Sequence, residues 1–327
     1  MLKYVISHIR RKMGSAFAMI FVALLIAATF CILEKVKLSQ QENYERMHDS
    51  IPVTVSVSDL TGRNTENIQA PYWTVDVFLS GGSLLPDTLE AYVTDVRAKT
   101  TWNAFGDQRI NQESVYVGDV VGITSPDAEP QLQKNNGGSV TWFPGYDESV
   151  LLGDSPVCLL PEALLPETGA ETLVSLEYSR VAMQGGNSVT LSCQVDLQVA
   201  GTYHASEQKL YVPYRQAEKI WSDLELNVIV NSVQATLKDN DMLETLRTAA
   251  SAWFAAPDLK GQPIPWGKMN EEYYLHALVI DDSQLTAAQN LLSKSIQINN
   301  IFRDILFVIS VAVGFLLGCL VILIGNM

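Results

Sequence analysis

Histidine and cysteine are scarce in this chain of 327 residues, with four of each, and none stands in the close pairs from which zinc sites are built. His8, His48, His204 and His276 are dispersed singles outside any H-E-x-x-H, so metal-dependent hydrolysis has no ligand set. The G-x-S-x-G turn that presents a hydrolase serine is missing too. Gly261 to Met269 comes nearest to a phosphate loop, but one residue too many separates its glycines and Met269 stands where Ser or Thr would hold magnesium. That segment reads as a proline-rich surface turn. Asp239-Asn-Asp241 lacks the glycine and distal glutamate of a calcium loop and reads as a helix cap.

Positive charge is also in short supply, with 22 Lys and Arg against 36 Asp and Glu and a formal net charge of -14. Phosphate backbones are held by neutralising Lys and Arg, so nucleic acid is excluded as a partner. The balance is unevenly spread. Residues 1–33 carry Lys3, Arg10, Arg11 and Lys12 and no acid, residues 305–327 carry no charge, and every carboxylate lies between them. Internal repeats of solenoid or propeller length and low-complexity tracts are absent.

What the sequence does have is two long apolar runs. Met13–Leu33 and Ile305–Ile324 are uncharged, and at about 1.5 Å per helical residue each crosses a hydrocarbon layer of about 30 Å. Lipid offers backbone N–H and C=O groups no partner, so such runs cross as helices. A cleaved signal peptide fits the first run poorly, because its apolar stretch is long and ends in Phe30, Ile32 and Leu33 rather than in small residues. Lipoprotein processing at Cys31 meets the same obstacle at Phe30. The basic cluster before the first run places the N-terminus in the cytoplasm. Residues of about 34–304 then lie outside it, in a cell membrane protein that contacts lipid along both spans.

Within residues 1–12, Leu2, Val5, Ile6 and Ile9 recur at helical spacing opposite Lys3, His8 and Arg10, which predicts a short amphipathic helix on the cytoplasmic leaflet. Residues 34–50 are expected to carry the first span outward as a stalk. Residues 282–304, capped by Asp282 and Ser283, form a second stalk leading into the span at 305–324. Residues 51–281 are expected to form the exterior domain, possessing two subdomains if the turn-rich stretch Asp127–Gly138 is a boundary.

Strand patterns are read at Ile51–Leu60, Thr74–Leu79, Val93–Ala98, Ser114–Ile123, Val157–Pro161 and Glu171–Tyr178. More follow at Val189–Gly201, Lys209–Val212, Leu224–Val230 and Tyr274–Ile280. A short helix is expected at Pro86–Ala91, and Asp241 with Glu244 reads as a capping box opening a helix at Met242–Ala255. The fold class is α+β, a membrane protein with two transmembrane helices, helical stalks and a large mixed exterior domain.

Val199-Ala-Gly-Thr-Tyr203 followed by Leu210-Tyr-Val-Pro213 resembles the V-x-G-x-Y/F and I/V-Y-V-P strand pair of the MacB/FtsX-type ABC transporter permeases. His8–Phe17 (HIRRKMGSAF) resembles the N-I-R-R-x-x-x-R-S approach to their first membrane helix. The order of segments also resembles that family, whose exterior segment is called the MacB-like periplasmic core domain. The resemblance implies a permease subunit that is not itself an enzyme. ATP and magnesium would sit on a cytoplasmic ABC ATPase subunit, with no cofactor in this chain, and the permease would act as a homodimer or beside a paired permease. It also implies further membrane helices after Met327, so the chain is expected to be truncated after its second span.

Gly314 and Gly318 form a G-x-x-x-G whose small residues share one helix face, a spacing that serves helix packing and also arises by chance. Cys158 and Cys193 fall in the exterior region, where either a disulfide between strands or two buried thiols is compatible with the sequence. Cys31 and Cys319 are apolar fillers of the spans. The rival function is a receptor or signalling subunit whose exterior domain binds a ligand and shifts its two helices.

Overall fold

A computed structural model describes residues 2–79, 88–102, 106–204, 207–255 and 276–325. In chain order the elements are α1 (Leu2–His48), β1 (Thr54–Ser58), β2 (Ala70–Pro71), α2 (Trp73–Asp76), β3 (Val93–Trp102), β4 (Gly106–Ile110) and β5 (Glu113–Ser114). Next come β6 (Asp119–Ile123), β7 (Ser139–Trp142), β8 (Val157–Pro161), β9 (Leu173–Gln184), β10 (Asn187–His204) and β11 (Lys209–Pro213). The chain continues with α3 (Tyr214–Asp223), β12 (Ile229–Val230), β13 (Ser232–Leu237), α4 (Leu243–Ala250), β14 (Ala277–Asp281) and α5 (Ser283–Gly325). These elements form two compact units, one of Met1–Pro52 with Asp282–Met327 and the other of Val53–Asp281.

The first unit is a pair of long helices. α1 runs unbroken for 47 residues and α5 for 43. The separate amphipathic helix expected at residues 1–12 is not set off by a turn. No proline interrupts the stretch, so the i to i−4 ladder carries straight through Lys12 and Met13. Hydroxyls inside the apolar runs bond back to their own helix, Thr29 Oγ1 to the Leu25 carbonyl at 2.8 Å and Ser310 Oγ to the Leu306 carbonyl at 2.6 Å. Each hydroxyl proton is thereby satisfied without water.

The second unit is built on a twelve-stranded sheet in the order β14-β1-β13-β3-β6-β11-β8-β10-β9-β4-β5. Most neighbours are antiparallel, while β6 with β11 and β8 with β10 are parallel. β7 pairs with β10 over Gly201–His204, beyond the Gln198 end of its β9 ladder. Period-two burial explains β9, where Val174, Leu176 and Tyr178 are buried and Leu173, Glu177 and Ser179 are exposed. Central β8 (Val-Cys-Leu-Leu-Pro) is buried throughout, as expected of a strand covered on both faces. Each fully buried leucine there contributes about 1.5–3 kcal/mol of transfer free energy.

Helix α3 lies on the sheet through Ala217, Ile220 and Trp221, all buried at helical spacing. Gly122 on β6 permits the approach. A Cβ there would stand 2.5 Å from the Ala217 Cβ and 2.8 Å from Thr100 Cγ2, distances no side chain tolerates. At Gly201, where β10 shifts register against β8, a Cβ would fall 2.7 Å from the Thr141 carbonyl oxygen.

Three expectations need correction. Thr74–Leu79 is not a strand: Trp73–Asp76 forms the helical turn α2, continued by N–H bonds from Val77 to Trp73 and from Leu79 to Val75. The alternation of Val75 and Val77 with Thr74 and Asp76 imitates a strand, whereas residues 74–78 are all buried, so the pattern marks no solvent-facing side. Of Leu224–Val230, Ile229–Val230 alone pairs, with β2, because Glu225 turns left-handed at φ 50° directly after α3. The cap before α4 belongs to Asp239, whose carboxylate accepts from the Asp241 N–H at 2.9 Å. Glu244 pairs with Arg247 at 2.5 Å rather than reaching back, and α4 ends at Ala250. The Gly81-Gly82 turn, the start of the Pro86 helix and the Gly261–Met269 turn lie outside the described residues.

The turn-rich stretch Asp127–Gly138 carries two 3-10 turns and a left-handed Gly137. It is anchored to the core by Leu132, which is 2% exposed and packs with Val121, Ile123, Leu159 and the Tyr203–Tyr211 pair.

Candidate functional site

The strand pair that carries the resemblance is a structural knot. Tyr203 on β10 meets Tyr211 on β11 edge to face, with ring centroids 5.0 Å apart. Its hydroxyl donates to the Lys209 carbonyl at 2.5 Å and accepts from the Lys209 N–H at 2.8 Å. Pro213 closes β11 and occupies the N-cap position of α3, where its lack of an N–H is harmless.

Cys158 and Cys193 do not meet. Both are free and buried, and they belong to one apolar cluster. Cys158 stands opposite Val199, while Cys193 stands opposite Tyr178. Along β10 that register separates them by about 20 Å at roughly 3.3 Å per residue, far beyond the reach of a disulfide. Burial pushes the Cys158 thiol up from its ordinary range. Cys193 is raised by burial and then by the charge of Asp223.

In the helix pair, Asn299 of α5 is 9% exposed and donates through Nδ2 to the Leu33 carbonyl of α1 at 2.9 Å. That bond fixes the register of the two helices where the apolar run of α1 ends. Gly314 and Gly318 are exposed, and a Cβ built on either meets nothing within 4 Å among the described residues. Among the described residues, the G-x-x-x-G face meets no close neighbour. Among the described residues, Ser283–Leu316 is long and apolar enough to cross a membrane. Phe17, Phe21, Leu24 and Leu25 of α1 are more than half exposed as well.

In the sheet unit, the first and last strands are neighbours. β1 pairs with β14 from Thr54 opposite Asp281 to Ser58 opposite Ala277. The residues at which the chain enters and leaves this unit therefore face each other across one ladder. One residue, Asp282, separates β14 from α5.

The sheet unit also contains a cavity of about 1100 Å³. Its aromatic side is formed by Tyr72, Trp73 and Phe78, packed on Phe254, which lies 5.7 Å from Trp73 and 6.0 Å from Phe78 between ring centroids. Acidic residues Asp76, Glu90, Asp95, Glu148, Asp154 and Glu218 also line it, among apolar and hydroxyl side chains. Among the described residues, Arg215 is the one cation in the lining, and its Nη1 is taken up by Asp76 at 2.6 Å and Glu218 at 2.7 Å. Asp95 sits in the left-handed region at φ 52°, at a register shift between β3 and β13, and pairs with Arg97. Glu148 accepts from Ser125 Oγ at 2.6 Å. Sequence reading missed this cavity, because its aromatic wall sits on the turn that alternation disguised as a strand. The adjacent aromatics Tyr72-Trp73 were the available signal.

No family model matches the chain, and no curated protein matches it in sequence. Among solved structures it is similar to the periplasmic region of MacB from Actinobacillus actinomycetemcomitans, at 13% identity and a TM-score of 0.38, covering 72% of this chain and 92% of that one. It is also similar to the extracellular domain of the noncanonic ABC-type transporter YknZ from Gram-positive bacteria, at 12% identity and a TM-score of 0.32, covering 61% of this chain and 94% of that one.

Proposed function

We propose that this chain is a membrane-spanning permease subunit of an ABC transporter, in which a cytoplasmic ATPase displaces a helix pair and the displacement reaches an exterior domain. The observation that carries the reading is the attachment of two long helices to paired residues. α1 and α5 are joined by the Asn299–Leu33 bond, and the strands they lead into are matched at Thr54 and Asp281. A helix resists bending because its ladder of backbone hydrogen bonds runs along the axis, and no proline or glycine interrupts residues 283–313. Relative movement of the helices thus acts on one ladder at the edge of the sheet. The Val199–Tyr203 and Leu210–Pro213 resemblance supports the same assignment.

In this reading both apolar runs lie in the cell membrane, the N-terminus is cytoplasmic, and the sheet unit is outside. ATP and magnesium belong to the partner. Gly314 and Gly318 pack against a helix of a second permease molecule. Purification of the intact chain from its own cells in mild detergent is expected to retain an ABC ATPase in fixed proportion, and its consistent absence would sink the transport reading. Orientation is tested at exposed Asn135. An Asn135→Cys variant should react with a membrane-impermeant maleimide on intact cells, whereas buried Cys158 should not.

A second reading, an exterior receptor with two anchors, is favoured by the cavity. It predicts capture of a signalling enzyme in place of the ATPase.

A further inference from the structure

We propose that the cavity of the sheet unit binds a small organic cation, an amine or amidine carried on an aromatic or otherwise apolar body. The proposal goes beyond the transport reading and holds whether or not an ATPase is coupled to the chain. A volume of about 1100 Å³ suits a drug-sized molecule.

The chemistry of the wall selects the charge. Among the described residues, six acidic residues line the cavity against the guanidinium of Arg215, and that guanidinium is held by Asp76 and Glu218. Arg97, which is not among the described lining residues, is engaged by Asp95 and lies 3.8 Å from Asp127. Among the described residues, an anion would meet one guanidinium already shared by two acids, within the field of the other carboxylates.

The spacing of the acids selects the size. Among the described residues, no group of three or more His, Cys, Asp or Glu is gathered closely enough to hold a metal ion. A bare divalent ion would need just such a cluster. A cation spread over a larger body can instead reach acids on separate elements, Asp95 on β3, Glu148 in a 3-10 turn and Glu218 on α3. Tyr72, half exposed, offers a ring whose quadrupole attracts cations, and Trp73, packed on Phe254, adds apolar surface, so one side of the ligand is bound as charge and the other as apolar surface.

The test is calorimetric titration of the full chain in neutral detergent with pentamidine, an aromatic diamidine, and with the dicarboxylate of the same length and shape. Saturable binding of the diamidine and none of the dicarboxylate is expected. Asp95→Asn with Glu148→Gln keeps hydrogen-bonding atoms at both positions while removing two charges, and should weaken binding at least tenfold. Tyr72→Ser, at a surface position with little influence on folding, should weaken it at least threefold. Glu167→Gln with Glu171→Gln removes equal charge from an exposed loop outside the cavity and should leave affinity within twofold. Equal binding of the dicarboxylate, no saturable binding of the diamidine, or an equal loss in the Glu167 and Glu171 variant would overturn the proposal. Undiminished affinity in Tyr72→Ser would do so too.

Discussion

Tyr203 shows how one hydroxyl can close a loop. It bonds both backbone groups of Lys209, and burial pushes its ionisation up to about 12, so it remains a neutral donor and acceptor at any physiological pH. Tyr203→Phe keeps the ring contact with Tyr211 and strands the Lys209 N–H and carbonyl. A destabilisation of about 1–3 kcal/mol is expected, read as a lowered midpoint in chemical unfolding. His276 carries a pH dependence. It is 8% exposed, and its Nε2 lies 3.3 Å from the Ile68 carbonyl, which requires the proton on Nε2. Among the described residues Nδ1 is buried without a partner. Burial lowers its ionisation below the ordinary range, with the Ile68 carbonyl and Asp59 opposing in part. The unfolded imidazole titrates near pH 6.5, so as pH falls through that value the unfolded chain binds more protons than the folded one. The stability this group confers is complete above that pH and is lost as the pH drops toward the folded value. The thermal midpoint of the sheet unit should therefore fall between pH 7.5 and pH 5.5, and His276→Gln should make that fall shallower. An unchanged slope in the variant would assign the effect elsewhere.

At the scale of elements, the helix pair is registered by a polar contact where the apolar run of α1 ends. The backbone carbonyl of Leu33 already serves its own helix, and Asn299 uses its second lone pair. Dispersion alone lets two apolar helices slide, whereas a buried amide is satisfied in one register. Asn299→Ala should weaken the pairing by about 1 kcal/mol, measured as faster loss of a cysteine cross-link yield between α1 and α5 on heating in detergent. Element identity was legible where the apolar pattern alternated cleanly or ran unbroken. The alternation of β9 and the continuous apolar run of β8 are plain in the sequence, and so are the two long helices. It failed at α2, where Thr74–Val77 alternates like a strand although residues 74–78 are all buried.

At the scale of the whole molecule, the pairing of β1 with β14 brings together residues far apart in the chain. Thr54 and Asp281 face each other, and opposed Cα atoms in an antiparallel ladder lie about 4.5–5.5 Å apart, within disulfide range. Thr54→Cys with Asp281→Cys should oxidise to an intramolecular bond in nearly all molecules, detected as a gel shift that reductant reverses. Failure to form would contradict the closure of the sheet unit at its own ends. In the transport reading this bond fixes the two attachment points against relative sliding, so ATP hydrolysis by the captured ATPase should become uncoupled from movement of the sheet unit.

Hydropathy and charge placement along the chain determined two long apolar helices and an acidic mixed unit between them, because length, charge and burial periodicity are local properties written in consecutive residues. Tertiary structure alone decided which strands are neighbours, that Cys158 and Cys193 sit in one core without meeting, and that six carboxylates and three aromatics enclose a common space. Those outcomes depend on registers and crossings between segments distant in sequence, and no local pattern records which of many compatible pairings buries the most surface.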